Sequence, residues 1–189
     1  MVYLPILVVL LIAAGLLLLP VLYGILIYNS LVKYKVETDN AWSQIDVQLK
    51  RRHDLIPNLV ETVKGVMKFE QETLTKVMQA RAAAMGASNQ GDRIKAENDI
   101  TGFMGRLLAV WENYPDLKSG KNALMLQEEL TTTENQIAYS RGYYNDIAAN
   151  YNTQIQQFPS NIVAGIFHFA VREFFKAPDT EKEVPQVKF

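Results

Sequence analysis

Residues 4–27 read LPILVVLLIAAGLLLLPVLYGILI, a run made almost entirely of Leu, Ile, Val and Ala without a charged side chain. The run is longer than the ~20 apolar residues that a helix needs to cross a bilayer. Tyr3 and Tyr28 flank it and would lie about 37 Å apart in a helix, near the two interfaces where Tyr is common. A membrane-spanning helix is therefore predicted from Leu4 to Ile27. Because no basic residue precedes the run, residues 1–28 are expected to form an uncleaved signal anchor.

The charged side chains are distributed unevenly along the chain. The 189 residues include 19 Lys and Arg and 20 Asp and Glu, and the first of them is Lys33. The part after residue 32 therefore has the charge content of an ordinary globular domain. A net charge of −1 gives no basic surface of the kind that binds nucleic acid, so no such partner is predicted. The absence of cysteine excludes disulfides, thiolate metal sites and a cysteine nucleophile.

After residue 28, apolar residues recur every three or four positions, which is typical of amphipathic helices. Four helices are predicted, at 29–54, 57–85, 92–114 and 121–158. Nothing between Ile27 and Lys33 breaks a helix, so the anchor should continue into the first of them, whereas Pro57 should end or kink that helix. The predicted fold class is all-α: a single N-terminal transmembrane helix that continues into an antiparallel four-helix bundle over 29–158.

The segment after Pro159 is strongly apolar. Ser160 can cap a helix that carries apolar side chains as far as Phe175, so a C-terminal helix is predicted over 159–176. This helix is too short to span a membrane. It either docks on the end of its own bundle or exposes a patch for self-association or lipid contact, formed by Ile162, Ile166, Phe167, Phe169, Phe174 and Phe175. Residues 177–189 are predicted to be disordered.

No arrangement of residues predicts catalysis. The two histidines, His53 and His168, lack the Glu-x-x-His pairing of di-metal bundles, and zinc, phosphate-loop and nucleophile-elbow motifs are absent. We therefore predict no enzyme, cofactor, metal or small-molecule substrate. The run KRRHD at 50–54 is interpreted as a solvated helix end, with binding of an anionic lipid or an acidic partner as the alternative. Polar residues near the apolar stripes predict a structural hydrogen-bond network of Asn40, Asn58, Glu61, Glu134, Arg141, Asn145 and Asn152.

Several stretches of the sequence resemble the LemA family. They are YNSLV at 28–32, NAWSQIDVQLKRRHDLIPNLVETVKG at 40–65, YPDLK at 114–118, ENQIA at 134–138 and the Tyr-Asn pairs at 144–145 and 151–152. The resemblance implies a bacterial, membrane-anchored four-helix bundle of unsettled molecular function, without established catalytic residues. One departure is that IFHFAVR at 166–172 lacks the Gly-Phe-Lys-Pro common in the family. The missing proline favours a longer C-terminal helix in this chain.

The orientation of the domain is a separate question. No basic residue precedes the span, whereas Lys33, Lys35 and the run 50–52 follow it. This asymmetry favours an outside N-terminus and a cytoplasmic domain, held at the bacterial inner membrane by a single pass. The resemblance also implies that many Gram-negative relatives carry a lipoprotein cysteine and place the domain outside the cytoplasm. The present sequence lacks that cysteine, so its topology need not follow theirs.

Three functional hypotheses remain open from the sequence. The first is a non-enzymatic membrane scaffold or adaptor that self-associates as a homo-oligomer and organises or shapes membrane, as some members of the resembled family are associated with doing. The second is an adaptor that presents clients to another membrane protein, such as a protease or an envelope-stress component. The third is a hydrolase or metal-dependent enzyme that uses Glu61, Glu134, Arg141 or a histidine.

Overall fold

The computed structural model describes residues 3–64, 71–111, 113–115, 117 and 120–176. Its helices are α1 (Tyr3–Lys64), α2 (Gln71–Gly86), α3 (Gln90–Trp111), α4 (Lys121–Gln156) and α5 (Ser160–Ile166), and no described residue lies in a strand. The all-α fold class predicted from the sequence is confirmed. The expected disordered tail, 177–189, lies outside the described residues.

Helix α1 contains the apolar N-terminal run. It is the one helix of the described residues that is long and apolar enough to cross a membrane, and fewer than one in eight residues of its apolar window is buried by protein. Leu17 and Leu19, for example, are exposed on the protein surface, as side chains that face lipid would be. The side chain of Leu4 lies outside the described part. Tyr3 and Tyr28 flank the run on the same uninterrupted helix.

The predicted end of the helix at Pro57 is wrong, because α1 continues through it to Lys64; the alternative, a kink at Pro57, stays a prediction. Proline lacks the N–H that would bond to the carbonyl four residues earlier, here that of His53. The guanidinium Nε of Arg81, on α2, donates to this carbonyl oxygen at 2.7 Å instead. The lost helical hydrogen bond is therefore replaced from a neighbouring helix. The second helix accordingly begins at Gln71 rather than at 57.

The start of α3 also differs slightly from the prediction, at Gln90 instead of 92. The Oδ1 of Asn89 accepts a hydrogen bond from the backbone N–H of Asp92 at 2.8 Å, and its Nδ2 donates to the Asp92 carboxylate at 2.7 Å. This is the geometry of an N-cap residue, which satisfies one of the free N–H groups at the start of a helix. The helix therefore begins directly after Asn89.

The chain divides into two compact units, to both of which α1 and α4 contribute. The first unit is Met1–Asn40 with Asp146–Arg172, and the second is Ala41–Asn145 with Glu173–Phe189. The core of the second unit brings together apolar side chains from α1, α2, α3 and α4, as a four-helix bundle requires. These include Leu59 of α1, Val77 of α2, Met104 and Trp111 of α3, and Leu130 of α4.

The first unit has a smaller core of its own. Leu31 of α1, Tyr151 and Ile155 of α4, and Ala164 of α5 form a buried cluster. Partly buried apolar side chains pack against it, namely Ile27, Tyr34, Val163 and Phe169. Helix α5 is therefore held against the end of the apolar run of α1.

Helix α5 is much shorter than predicted, because it ends at Ile166 and not at 176. The N–H of Phe169 donates to the carbonyl of Ala164 at 3.0 Å, and that of His168 donates to the carbonyl of Gly165 at 3.4 Å. His168 has a φ of 57°, so the helix closes in a Schellman motif with histidine in the left-handed position that glycine usually takes. The missing proline therefore does not lengthen this helix.

Candidate functional site

The most heavily charged part of the interior lies in the second unit, around Arg52. Its Nη1 donates to Thr101 Oγ1 at 2.8 Å and to the two carboxylate oxygens of Glu134 at 3.0 and 3.1 Å. Its Nη2 donates to the Glu97 backbone carbonyl at 3.1 Å and to the Glu97 carboxylate. The side chains of Arg52 and Glu97 are fully buried, and that of Glu134 is largely so. A buried arginine is thereby paired with two carboxylates, which is the arrangement that makes its burial tolerable.

His53, the next residue along α1, reaches the other side of Glu97. Its Nε2 lies 2.9 Å from Glu97 Oε1, so the two form an ion pair when the imidazole is protonated. Burial raises the pKa of Glu97, but hydrogen bonds and charge contacts with His53 and the Arg52 guanidinium lower it by more. The net pKa of Glu97 therefore lies below its ordinary value. Glu97 is therefore held as a carboxylate at neutral pH. We call Arg52, His53, Glu97, Thr101 and Glu134 the buried ion cluster.

The interpretation of 50–54 as a solvated helix end is wrong for two of its residues, because Arg52 and His53 are buried. Neighbouring Arg51 fits that interpretation, since it is half exposed and pairs with half-exposed Glu129 at 3.0 Å. The spacing of Arg52 from its apolar neighbours in the sequence indicates that it is buried. It lies three residues after Leu49 and four before Ile56, both of which are buried. A charged residue on an apolar stripe predicts a buried partner, which α3 supplies.

The structure connects Glu134 and Arg141 of the predicted polar network through Arg52 and the Thr101 hydroxyl. Thr101 Oγ1 accepts from Arg52 Nη1 at 2.8 Å and from Arg141 Nη2 at 3.3 Å, while Glu134 pairs with Arg52. The network therefore joins α1, α3 and α4 and sets their register. Three other members of the predicted network do not take part and lie on exposed faces, namely Asn40, Asn58 and Glu61.

The remaining two predicted members, Asn145 and Asn152, hold the segment that follows α5. In the first unit, the Asn152 amide donates to the carbonyl of Arg172 at 2.9 Å and accepts from the N–H of Arg172 at 2.8 Å. The Tyr151 hydroxyl donates to the carbonyl of Ala170 at 3.0 Å, and burial raises the pKa of this hydroxyl. One asparagine thus satisfies both backbone polar groups of one residue.

The second unit repeats this arrangement. The Asn145 amide donates to the carbonyl of Phe175 at 2.9 Å and accepts from its N–H at 2.8 Å, and the Tyr144 hydroxyl donates to the carbonyl of Glu173 at 2.9 Å. The Phe175 ring is buried, stacks on Trp42 at 5.7 Å between centroids, and lies 4.3 Å from the Arg141 guanidinium. The two Tyr-Asn pairs of α4 therefore hold residues 170–175 in a non-helical conformation. We call 170–176 the C-terminal strap.

The six residues predicted for self-association or lipid contact are not equivalent. Phe175 fills the bundle, as just described, and Phe169 is half-buried against the Tyr28 ring, with the two centroids 5.9 Å apart. The other four are exposed to different degrees, namely Ile162, Ile166, Phe167 and Phe174. The C-terminal segment therefore docks with part of its apolar surface and leaves the rest uncovered by the chain.

Neither histidine lies in a metal-binding cluster of the described residues. Among the described residues, no group of three or more His, Asp and Glu side chains is placed to hold a metal ion. Of the two histidines, His53 belongs to the buried ion cluster and His168 lies at the end of α5. The described contacts hold three helices and the C-terminal strap in register.

These features define a class: an all-α protein whose apolar N-terminal helix is long enough to cross a membrane and whose helical bundle contains a buried arginine–carboxylate cluster. A family model described as the LemA family matches residues 41–189, which is most of the chain. The chain belongs to the LemA family, and the resemblance seen in its sequence motifs is confirmed.

Named relatives support the same assignment. Protein LemA of Metamycoplasma hominis is 30% identical over 155 residues, which cover 82% of this chain and 71% of that protein. Magnetosome protein MamQ 2 of Paramagnetospirillum magneticum is 28% identical over 189 residues, covering 85% of this chain and 70% of the relative. Magnetosome protein MamQ of Magnetospirillum gryphiswaldense is 24% identical with the same coverage. The chain is thus similar to a protein named LemA and to magnetosome proteins over most of its length.

Proposed function

We propose that the chain is a non-enzymatic, single-pass scaffold that self-associates in a bacterial inner membrane and organises or shapes that membrane. The observation that carries the proposal is the continuity of α1. One helix, Tyr3–Lys64, contains the apolar run and also residues that line the core of the second unit, such as Ile56 and Leu59. An anchor that is also a core element of the bundle is suited to holding that bundle at a membrane surface.

The placement of the ionisable groups supports a structural role for them. The Arg52 guanidinium pairs with the carboxylates of both Glu97 and Glu134. A catalytic acid or base has to reach a substrate, and a group sealed in the interior does not do so without opening the fold. We therefore assign these residues to the register of the helices.

Exposed aromatic side chains on α4 offer a surface for self-association. Tyr139 and Tyr143 lie four residues apart on one face of the helix, with 76% and 43% of their surface exposed. Tyrosine is enriched in protein interfaces, because it contributes a large rigid area at a low cost in side-chain entropy. The relatives named as magnetosome proteins suggest, by analogy, that such an assembly serves membrane organisation here.

A concentration series tests the self-association. The full chain in mild detergent should change from monomer to oligomer as its concentration rises, with the mass measured by light scattering. Tyr139→Ser/Tyr143→Ser should shift the transition to higher concentration, whereas Thr131→Ser/Ala138→Ser, exposed on another face of the same helix, should not. A monomer at every concentration would refute the proposal. Crosslinking that recovers other membrane proteins without self-contacts would favour the client-presenting adaptor instead.

We also propose that the domain is cytoplasmic, on the basis of Lys33 and Lys35, which directly follow the span, against no basic residue before it. Protease treatment of intact cells and of spheroplasts distinguishes the two orientations. A cytoplasmic domain survives in both, whereas a domain outside the inner membrane is digested in spheroplasts. The second result would reverse the orientation but would leave the scaffold proposal in place.

A further inference from the structure

The chain contains two long stretches without Asp, Glu, Lys or Arg. The first is residues 1–32, which include the membrane span, and the second runs from Ile147 to Val171. Both fall entirely within the first unit, Met1–Asn40 with Asp146–Arg172. Charged side chains are common on surfaces that face water, so the absence of charge from residues 147–171, outside the span, calls for an explanation. Contact with lipid is such a reason, because desolvating a charge there is costly.

The second stretch lies against the end of the span. The Phe167 ring is 4.6 Å from the Tyr28 ring between centroids, and Phe169 packs on the same tyrosine. Tyr28 directly follows the apolar run, at the position where tyrosine marks a membrane interface. The end of α5 is thereby placed at the depth of the lipid headgroups.

Apolar side chains of α5 and the following turn are exposed at this depth. Ile162 and Ile166 lie four residues apart on one helix face, and they and Phe167 are more than half exposed. Val163 and Ala164 point instead into the core of the first unit. The short helix is therefore apolar on the face that packs against protein and also on the face that the chain leaves open.

Charges reappear where the chain leaves this region. Arg172, the first charged residue after the uncharged stretch, pairs with Asp39 of α1 at 2.6 Å. Asp39 lies twelve residues past Ile27, which is about 18 Å along a helix. Lys33 lies about 9 Å past Ile27, is exposed, and can extend toward headgroup phosphates.

We propose that α5 and its following turn form a second contact with the bilayer, in which Ile162, Ile166 and Phe167 insert into the membrane interface beside Tyr28. The contact is that of an interfacial helix which lies on the membrane without crossing it. It rests on the proposed anchoring by α1 and adds to it a lipid-facing role for a segment more than 130 residues away in sequence. The occupant of the exposed apolar face is lipid, and not a second copy of the chain.

The absence of cysteine allows a direct test. Ile166→Cys in the full chain is labelled with an environment-sensitive fluorophore and reconstituted into vesicles of equal parts phosphatidylcholine and phosphatidylglycerol. Leu19→Cys labels the span, and Gln136→Cys labels an exposed position on α4. The fluorophore at 166 should shift to shorter emission wavelength and lose fluorescence when the lipids carry a nitroxide near the headgroup. The fluorophore at 19 should respond to a nitroxide deep in the acyl chains, and that at 136 to neither.

Other outcomes contradict the inference in distinguishable ways. If position 19 is quenched by deep nitroxide while position 166 is quenched only by aqueous iodide, the span is inserted but α5 does not touch lipid. If position 166 is shielded from both lipid and water and forms disulfide-linked dimers when unlabelled, a second copy covers it, and the lipid contact is overturned. If position 19 is not quenched, the anchoring itself fails and this inference with it. Ile162→Cys repeats the measurement should Ile166→Cys fail to fold.

Discussion

The adjacent arginines of α1 allow a matched experiment on the buried ion cluster. Arg51 and Arg52 are the same residue type on the same helix turn, and each pairs with a glutamate at about 3 Å. They differ in burial, because the Arg51 side chain is 48% exposed and that of Arg52 is 0% exposed. Replacing each by methionine, which keeps most of the side-chain volume, therefore tests burial with the pairing held nearly constant.

The expected magnitudes follow from what each replacement leaves behind. Arg52→Met leaves the buried Glu97 carboxylate without its main partner, and removing one member of a buried ion pair typically costs ~3–5 kcal/mol. Arg51→Met removes an exposed pair, which is worth ~0–1 kcal/mol. A chain of this size loses about 2–4 °C in melting temperature per kcal/mol. The expected losses are thus about 6–20 °C for Arg52→Met and at most about 4 °C for Arg51→Met.

Thermal unfolding of the full chain in mild detergent, followed by far-ultraviolet circular dichroism, measures both losses. The double variant Arg52→Met/Glu97→Met should lose less than the sum of its single variants, since removing both charges leaves neither one unpaired. Equal losses for Arg51→Met and Arg52→Met would refute the argument from burial. Additive losses in the double variant would refute the coupling between Arg52 and Glu97.

Three further predictions concern acid, the end of α5 and the proline in α1. The pKa of Glu97 is lowered in the folded state, so the stability that this carboxylate contributes is complete above its unfolded pKa near 4.5 and is lost as the pH falls through the folded value. Glu97→Gln should therefore lose less melting temperature than the unchanged chain as the pH is lowered. An equal slope in both proteins would contradict this role of Glu97. His168→Gly should raise the melting temperature by about 2–4 °C, because glycine avoids a left-handed penalty of ~1 kcal/mol, and His168→Ala, the control, should give no such gain. Arg81→Met should cost ~1–3 kcal/mol, but less in a Pro57→Ala background, where a restored N–H serves the same carbonyl; equal costs in both backgrounds would rule this out.

The sequence predicts the parts of this fold that depend on local pattern. The apolar run, the all-α class and most of the helical segments follow from composition and periodicity, which are properties of neighbouring residues. The helix end expected at Pro57 is wrong because the structure there depends on a residue that is distant in the sequence. A proline ends a helix when nothing replaces the lost hydrogen bond, and here Arg81, 24 residues further on, replaces it. No pattern around Pro57 contains that information.

The C-terminal strap illustrates the same limit. The sequence between Ser160 and Phe175 favours a helix, yet the chain leaves the helix at Ile166. Asn145 and Asn152 were expected to take part in a polar network between helices, and the structure shows them bonded to the backbone of the strap. An asparagine near an apolar stripe indicates that a buried polar partner exists. It does not indicate whether that partner is a side chain or a peptide group.

The use of asparagine for these contacts follows from the backbone groups that it satisfies. The backbone of a residue offers one donor and one acceptor, and an uncharged amide such as that of Asn152 satisfies both at once, which a carboxylate or an ammonium group cannot do. Such an amide also carries no charge to desolvate if lipid lies nearby. The second unit uses the same Tyr-Asn pair and adds the Arg141 guanidinium over Phe175. If α5 contacts the bilayer as proposed, charged side chains are excluded from the part of the first unit that lies next to the span. The uncharged stretch from Ile147 to Val171 is the expected consequence.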